Sequence, residues 1–263
     1  MRIRKQGLFP KKSMISALGG NIVAAKAFSR DQAVFNEKAQ QYARKGVITT
    51  PGYLRLETLL ATSGTATSLN TITFNTLDTS GTKQPTERRL KLSDTFTVTK
   101  IGFYLGAGAA TAVGAPTAVE QAKEELHTFP NTQVVAIGAN SGNLQALYNG
   151  YLSLRIDTTT FLDSIPMKQF YRVGDVQQGT IFATGGTATN KSSWETGMGK
   201  YPMLPTIELN GQSNIEFSIT LPTSIPYTQV AATFINAVIV LEGFLNQGAA
   251  SVQRNVQTVL RRQ

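Results

Sequence analysis

Cysteine is absent from this 263-residue chain, and histidine occurs once. Without thiols there is no disulfide framework and no thiolate nucleophile. With a single imidazole, only carboxylates remain as side-chain metal ligands, so neither a metal nor any other cofactor is expected. Charge is scarce as well: Asp, Glu, Lys and Arg make up 16% of the residues, against about a quarter in ordinary soluble domains. That excludes a charge-rich disordered chain and a coiled coil. No run approaches the roughly 18 uninterrupted apolar residues of a bilayer-spanning helix. What is present is a 41% hydrophobic chain, rich in Thr, Ser, Gly, Ala and Asn, and long enough for one large core or two compact ones. Such a surface suits packing against neighbours better than solitary solvation.

The net charge of +9 is unevenly placed. Residues 1–46 carry ten bases and two acids, and residues 254–263 carry three bases and no acid, which leaves the middle at −2. A near-neutral body therefore sits between two cationic ends, the arrangement of tails that reach towards phosphates. Arg2, Arg4, Lys5, Lys11 and Lys12 at one end and Arg261 and Arg262 at the other are the candidate contacts with nucleic acid or membrane lipid. The start also has features of a secretory signal, with a basic stretch, an apolar run from Met14 and Ala25-Lys26-Ala27 as a small-x-small site. Against that reading, Gly19-Gly20-Asn21 interrupts the apolar run.

One helix is predicted after the arm. Ser29 with Gln32 three residues on has the form of a capping box. Phe35, Ala39 and Tyr42 fall on one stripe as a docking face, and Gly46 stops the helix. From Val47 the apolar period changes from 3.6 to 2, which predicts an all-β body over 47–250. Phe96 and Val98 alternate in one phase and Ile101, Phe103 and Leu105 in the other, so a β-bulge is expected at Thr99-Lys100. Phe234 to Leu245 is apolar on both faces, as a central covered strand would be. Asn210-Gly211 reads as a hairpin turn, and Asn149-Gly150 as a turn after a short helical stretch at 144–148. Long Gly/Ala/Thr segments separate the strands, and residues 251–263 form a basic tail. One barrel is the simpler arrangement; a compact pair of stacked barrels is the alternative.

Catalytic chemistry finds few residues. His127 has no thiol partner and no serine in a Gly-x-Ser-x-Gly elbow, and it is expected to be a hydrogen-bonded structural residue. Glu124-Glu125 and Asp157 with Asp163 offer carboxylates, expected to be solvated acids flanking strands. Residues 185–192 approach a phosphate-binding Gly-x-x-x-x-Gly-Lys-Ser loop, but Trp194, Gly197, Gly199 and Pro202 cannot continue the helix that such a loop needs. No enzyme is expected.

The strand order from Thr95-Phe96-Thr97-Val98 through Tyr151-Leu152-Ser153-Leu154, Leu162-Asp163-Ser164-Ile165-Pro166, Pro205 to Leu209 and Asn214 to Phe217, closing at Ala237 to Phe244, resembles jelly-roll capsid proteins. The likeness is to those of tailless icosahedral, membrane-containing bacteriophages, and it covers residues 90–246. It implies a jelly-roll β-sandwich in a virion shell. The partners implied are copies of the chain itself in a trimeric capsomer, other virion proteins, and internal membrane lipids or packaged nucleic acid at the basic termini. The competing expectation is a secreted β-sandwich adhesin or carbohydrate-binding module with residues 1–27 as a signal.

Overall fold

The computed structural model describes residues 22–43, 45–61, 66–78, 83–109, 116–130, 141–172, 199–228 and 233–251. Helix α1 (Ile22–Ala43) leads into β1 (Ile48–Ala61), β2 (Ala66–Asn75) and β3 (Thr95–Ala109). A short α2 (Ala118–Gln121), β4 (Glu125–His127) and α3 (Ser141–Ala146) follow, then β5 (Tyr151–Ile156), β6 (Thr159–Pro166), β7 (Lys200–Asn210), β8 (Ile215–Thr228) and β9 (Thr233–Gln247). The described strands form two antiparallel sheets facing one another, an all-β sandwich. One runs β1-β9-β3, with the far edge of β3 shared between β7 and β4; the other runs β2-β8-β5-β6.

The core lies between the sheets, and the period-2 pattern selects its members. Leu54, Leu56 and Leu60 of β1 and Ile235, Ala237, Ile239 and Leu241 of β9 meet Ile72 and Phe74 of β2 and Ile215, Phe217, Ile219 and Leu221 of β8. On β3, Phe96 and Val98 share this core with Ile101, Phe103 and Leu105. That is possible because the register shifts between Val98 and Lys100 against both neighbouring strands. The bulge therefore stands where the phase slip places it. Each such Phe, Leu or Ile contributes about 1.5–3 kcal/mol by leaving water. Strand β9 pairs on both edges, and its second face is also buried: Val238 and Val240 pack with Tyr104 and Leu126 on the outer side of the sheet.

Two local expectations are corrected. The helix begins at Ile22, so Ser29 lies inside it rather than at its cap; the residues before Ser29 continue the helix. Its end is as expected, with Gly46 at φ +70°. The Asn210-Gly211 turn exists, but the strands that it joins lie in different sheets, so it is a crossover and not a hairpin. Gln212 N–H donates to the Asn210 side-chain oxygen at 2.9 Å, which fixes the turn locally. A methyl at Gly211 would overlap the Lys91 carbonyl oxygen, because the segment before β3 passes directly beneath.

Candidate functional site

The outer face of the five-stranded sheet is covered by α1 along one part and by the α2–β4 segment along another. The predicted stripe of α1 makes the first contact. Tyr42 is buried, Ala39 is half-buried, and the Phe35 ring packs against Phe244 with centroids 5.4 Å apart. Glu208 of β7 collects three donors: Tyr42 Oη at 2.5 Å, Lys38 Nζ at 2.8 Å and Thr95 Oγ1 at 3.3 Å. Further along, Asp31 pairs with Lys100 at 3.1 Å, and Arg30 donates to the Met203 carbonyl at 2.5 Å. From Tyr42 to Asp31 a helix advances about 16 Å, and from Thr95 to Lys100 a strand advances about the same distance. The helix thus lies over the β1–β9 part of the sheet, and its side chains reach both ends of the β3 stretch from Thr95 to Lys100. Burial, then the hydrogen bond to Glu208 and its negative charge, raise the Tyr42 phenol well above its ordinary pKa, so it stays a donor.

Beside the helix, a cleft of about 550 Å³ opens among Phe35, Pro51, Tyr53, Lys100, Glu242 and Phe244. Lys200 pairs with Glu242 at its edge. The arrangement is that of a helix seat with aromatic contacts and paired charges.

The second covered region holds acids that the sequence reading placed in solvent. Glu124 is buried: it pairs with Arg55 and accepts from Asn236 Nδ2 at 2.8 Å. Arg55 Nε also lies 2.5 Å from Glu57, whose other oxygen accepts from Thr86. Gly106 makes room, since a methyl there would overlap the Glu124 carboxylate. Two buried carboxylates thus share one guanidinium. Burial first, and the Glu57 charge second, push the Glu124 carboxyl up to about 7. Glu57 is also raised, again mainly by burial. His127 is buried at the end of β4, its pKa lowered by the loss of water. Glu125 and Asp163 are largely exposed, while Asp157 caps a turn by accepting from Asn214 N–H at 2.8 Å. The carboxylates read as candidates are therefore not gathered into one site. Among the described residues no group of His, Asp or Glu has a metal-holding arrangement.

These shifts set a pH dependence with a definite sign. The neutral form of Glu124 is favoured in the fold, so its contribution is complete below the ordinary carboxyl value near 4.5 and is lost as pH rises through 7. Unfolding free energy should fall by up to about 3 kcal/mol across that window. His127 acts oppositely, because its contribution is present above 6.5 and is lost as pH falls. Denaturant titrations at pH 5, 6 and 7 should show Glu124→Gln making the slope less downward than in the parent, with the contributions of Glu57 and His127 remaining. An unchanged slope would mean that the carboxyl stays ionised.

The basic residues Arg2, Arg4, Lys5, Lys11, Lys12, Arg261 and Arg262 lie outside the described residues, as do the phosphate-loop-like stretch at 185–192 and the tail beyond Ser251. Glu208 is the partner that sequence alone does not single out, while Glu124, named there as a carboxylate expected in solvent, is enclosed. Alternation in Thr206-Ile207-Glu208-Leu209 puts Glu208 on the outer face, but nothing local says that a helix lies there. No protein-family model matches the chain, and no curated protein or solved structure does.

Proposed function

We propose that this chain is a virion shell protein: a single jelly roll that assembles with copies of itself, its basic termini turned to the particle interior. The observation that carries this reading is the strand pairing. Leaving aside the three-residue β4, the remaining eight strands in chain order pair first with eighth, second with seventh, third with sixth and fourth with fifth. Their sheet orders are then one-eight-three-six and two-seven-four-five. That is the pairing of one long antiparallel ribbon wrapped around a barrel, the jelly-roll scheme.

A fold does not by itself define a role; the surfaces supply the rest of the support. The outer face of the four-stranded sheet presents Thr71, Thr73, Ser218 and Thr220 beside Ser153, with Arg155 opposite Glu216. An uncharged hydroxyl face with one balanced pair allows identical copies to approach without repulsion, and symmetry multiplies each such contact. The docked helix holds Arg30, Lys38 and Tyr42 against β7.

Electron microscopy and sedimentation of the full chain test this reading. Trimers, pentamers or closed particles are expected. Deleting residues 1–21 removes none of the partners described for Arg30, Lys38 and Tyr42, so the unfolding temperature should hold while particle yield falls. A chain that stays monomeric at every concentration and ionic strength, or a native protein that starts after Ala27, would overturn the proposal.

A further inference from the structure

We infer that the end of the sandwich where β1 begins and β9 ends holds a binding site for a nucleic-acid phosphate backbone, centred on Arg88 and Lys91. This rests on the shell reading only for its biological purpose; the site itself follows from the charges and shape below.

A recess of about 390 Å³ lies there, lined by Lys83, Arg88, Arg89 and Lys91 together with Tyr53 and Ser93. The segment carrying these cations runs along the free edge of β1, joined to it by paired backbone hydrogen bonds between Arg55 and Arg88. Two of the four cations are neutralised in place: Lys83 by Asp78 at 2.6 Å and Arg89 by Glu87 at 2.7 Å. Arg88 and Lys91 are exposed and have no carboxylate partner among the described residues. Asp94, the other acid in the recess, is already engaged by the Ser93 hydroxyl and by Gly248 N–H at 2.9 Å.

Two further features converge on the same place. The Arg88 guanidinium sits 5.2 Å from the centroid of the Tyr53 ring, which is 47% exposed and so offers an aromatic surface next to a cation. Base stacking combined with backbone-tracking cations is how single strands are held. Ala250 N–H donates to the Ser93 carbonyl, which ties the residues after β9 to the rim of the recess. Arg88 and Lys91 belong to the segment between β2 and β3, far in the chain from the five bases of residues 1–12. The positive charge of the recess is therefore carried by the sandwich itself. A concave recess suits a strand of phosphates better than a planar bilayer.

The test measures binding of a labelled 20-nucleotide oligothymidylate to the full chain by fluorescence anisotropy across a salt series. Each phosphate contact on a single strand contributes about 0.7 to the slope of log affinity against log salt. The double variant Arg88→Gln/Lys91→Gln should lose about 1.4 from that slope and bind roughly tenfold more weakly at moderate salt. Its unfolding temperature should not change, since both side chains are exposed. Neutralising the five arm bases should leave the recess contribution intact, so the two variants together should lose more than either alone. Unchanged affinity in the double variant overturns the inference, as does no oligonucleotide binding by the full chain, or binding only to vesicles containing phosphatidylglycerol. Particle formation is read separately, so loss of the inference with intact particles leaves the shell reading standing.

Discussion

Replacing Gly243 with Ala should destabilise the sandwich by about 3 kcal/mol or more, at the upper end of what overpacking a core costs. In a chain of this size that is a drop of roughly 6–12 °C in unfolding temperature. The reason lies across the strand pair. Gly243 is the partner of Val98, at the point where β3 bulges between Val98 and Lys100. The bulge pushes the Thr97 peptide towards β9, and a methyl on Gly243 would overlap the Thr97 carbonyl oxygen and sit 2.9 Å from its carbonyl carbon. Backbone cannot rotate aside as a side chain can. Either the β3–β9 ladder opens, or the bulge is lost and one half of the β3 core residues turns outward. Gly52→Ala is the matched control on the neighbouring strand: its nearest new contact would be Leu245 at 3.6 Å, an ordinary packing distance, and little loss is expected. Thermal unfolding of both variants measures the difference. If Gly243→Ala melted with the parent, the bulge would have to be plastic and not a fixed register device.

The same bulge shows what a sequence can reveal about this fold. A phase slip from Val98 to Ile101 is visible in the order of residues because each phase must find the core. The double-faced burial of β9 is visible for the same reason: no polar residue interrupts Val238 to Leu241. Where the physical cause is distant, the residues are silent. Asn210-Gly211 reports that the chain reverses, but not that the next strand joins the opposite sheet; that is decided by the partners of β8, at 66–75 and 151–156. The turn between β5 and β6 carries Asp157 at φ 53° in place of glycine, so no turn dipeptide marks the pair; β5 shows in the alternation of Leu152, Leu154 and Ile156, whereas the mostly exposed β6 has no such regular pattern. Ser29-x-x-Gln32 has the residues of a cap, yet the chain before it continues the helix. At the candidate site the helix stripe was legible because burial has a period. Its acceptor Glu208, 166 residues away from Tyr42, was not. Glu124 was misjudged for a related reason: a carboxylate beside a strand is solvated unless a glycine opposite makes room and an arginine compensates it, and Gly106 and Arg55 lie on other strands.

Removing the Glu87 carboxylate should cost about 4 kcal/mol, as for other buried ion pairs broken on one side. Glu87 is fully enclosed and serves several donors at once. Its oxygens accept from Glu57 N–H at 3.0 Å, from Gln84 N–H at 2.6 Å and from Arg89 Nη2 at 2.7 Å. Through them, one side chain ties the segment before β3 to the edge of β1. Glu87→Ala therefore strands two backbone donors and takes its paired carboxylate from the almost fully buried Arg89 guanidinium. Each buried donor left unmatched costs about 1–3 kcal/mol, and the charge costs more. Glu87→Gln keeps an acceptor for one backbone donor but no charge for Arg89, and should fall between the parent and the alanine variant. Glu87→Ala/Arg89→Met separates the contributions. Methionine removes the buried charge while keeping much of the apolar stem, so the double variant should recover about half of the loss in urea unfolding. If it recovered nothing, the stranded amides would carry the whole cost and Arg89 would find its compensation elsewhere. Full recovery would instead make the guanidinium the sole reason that a carboxylate is kept at this closed end of the sandwich.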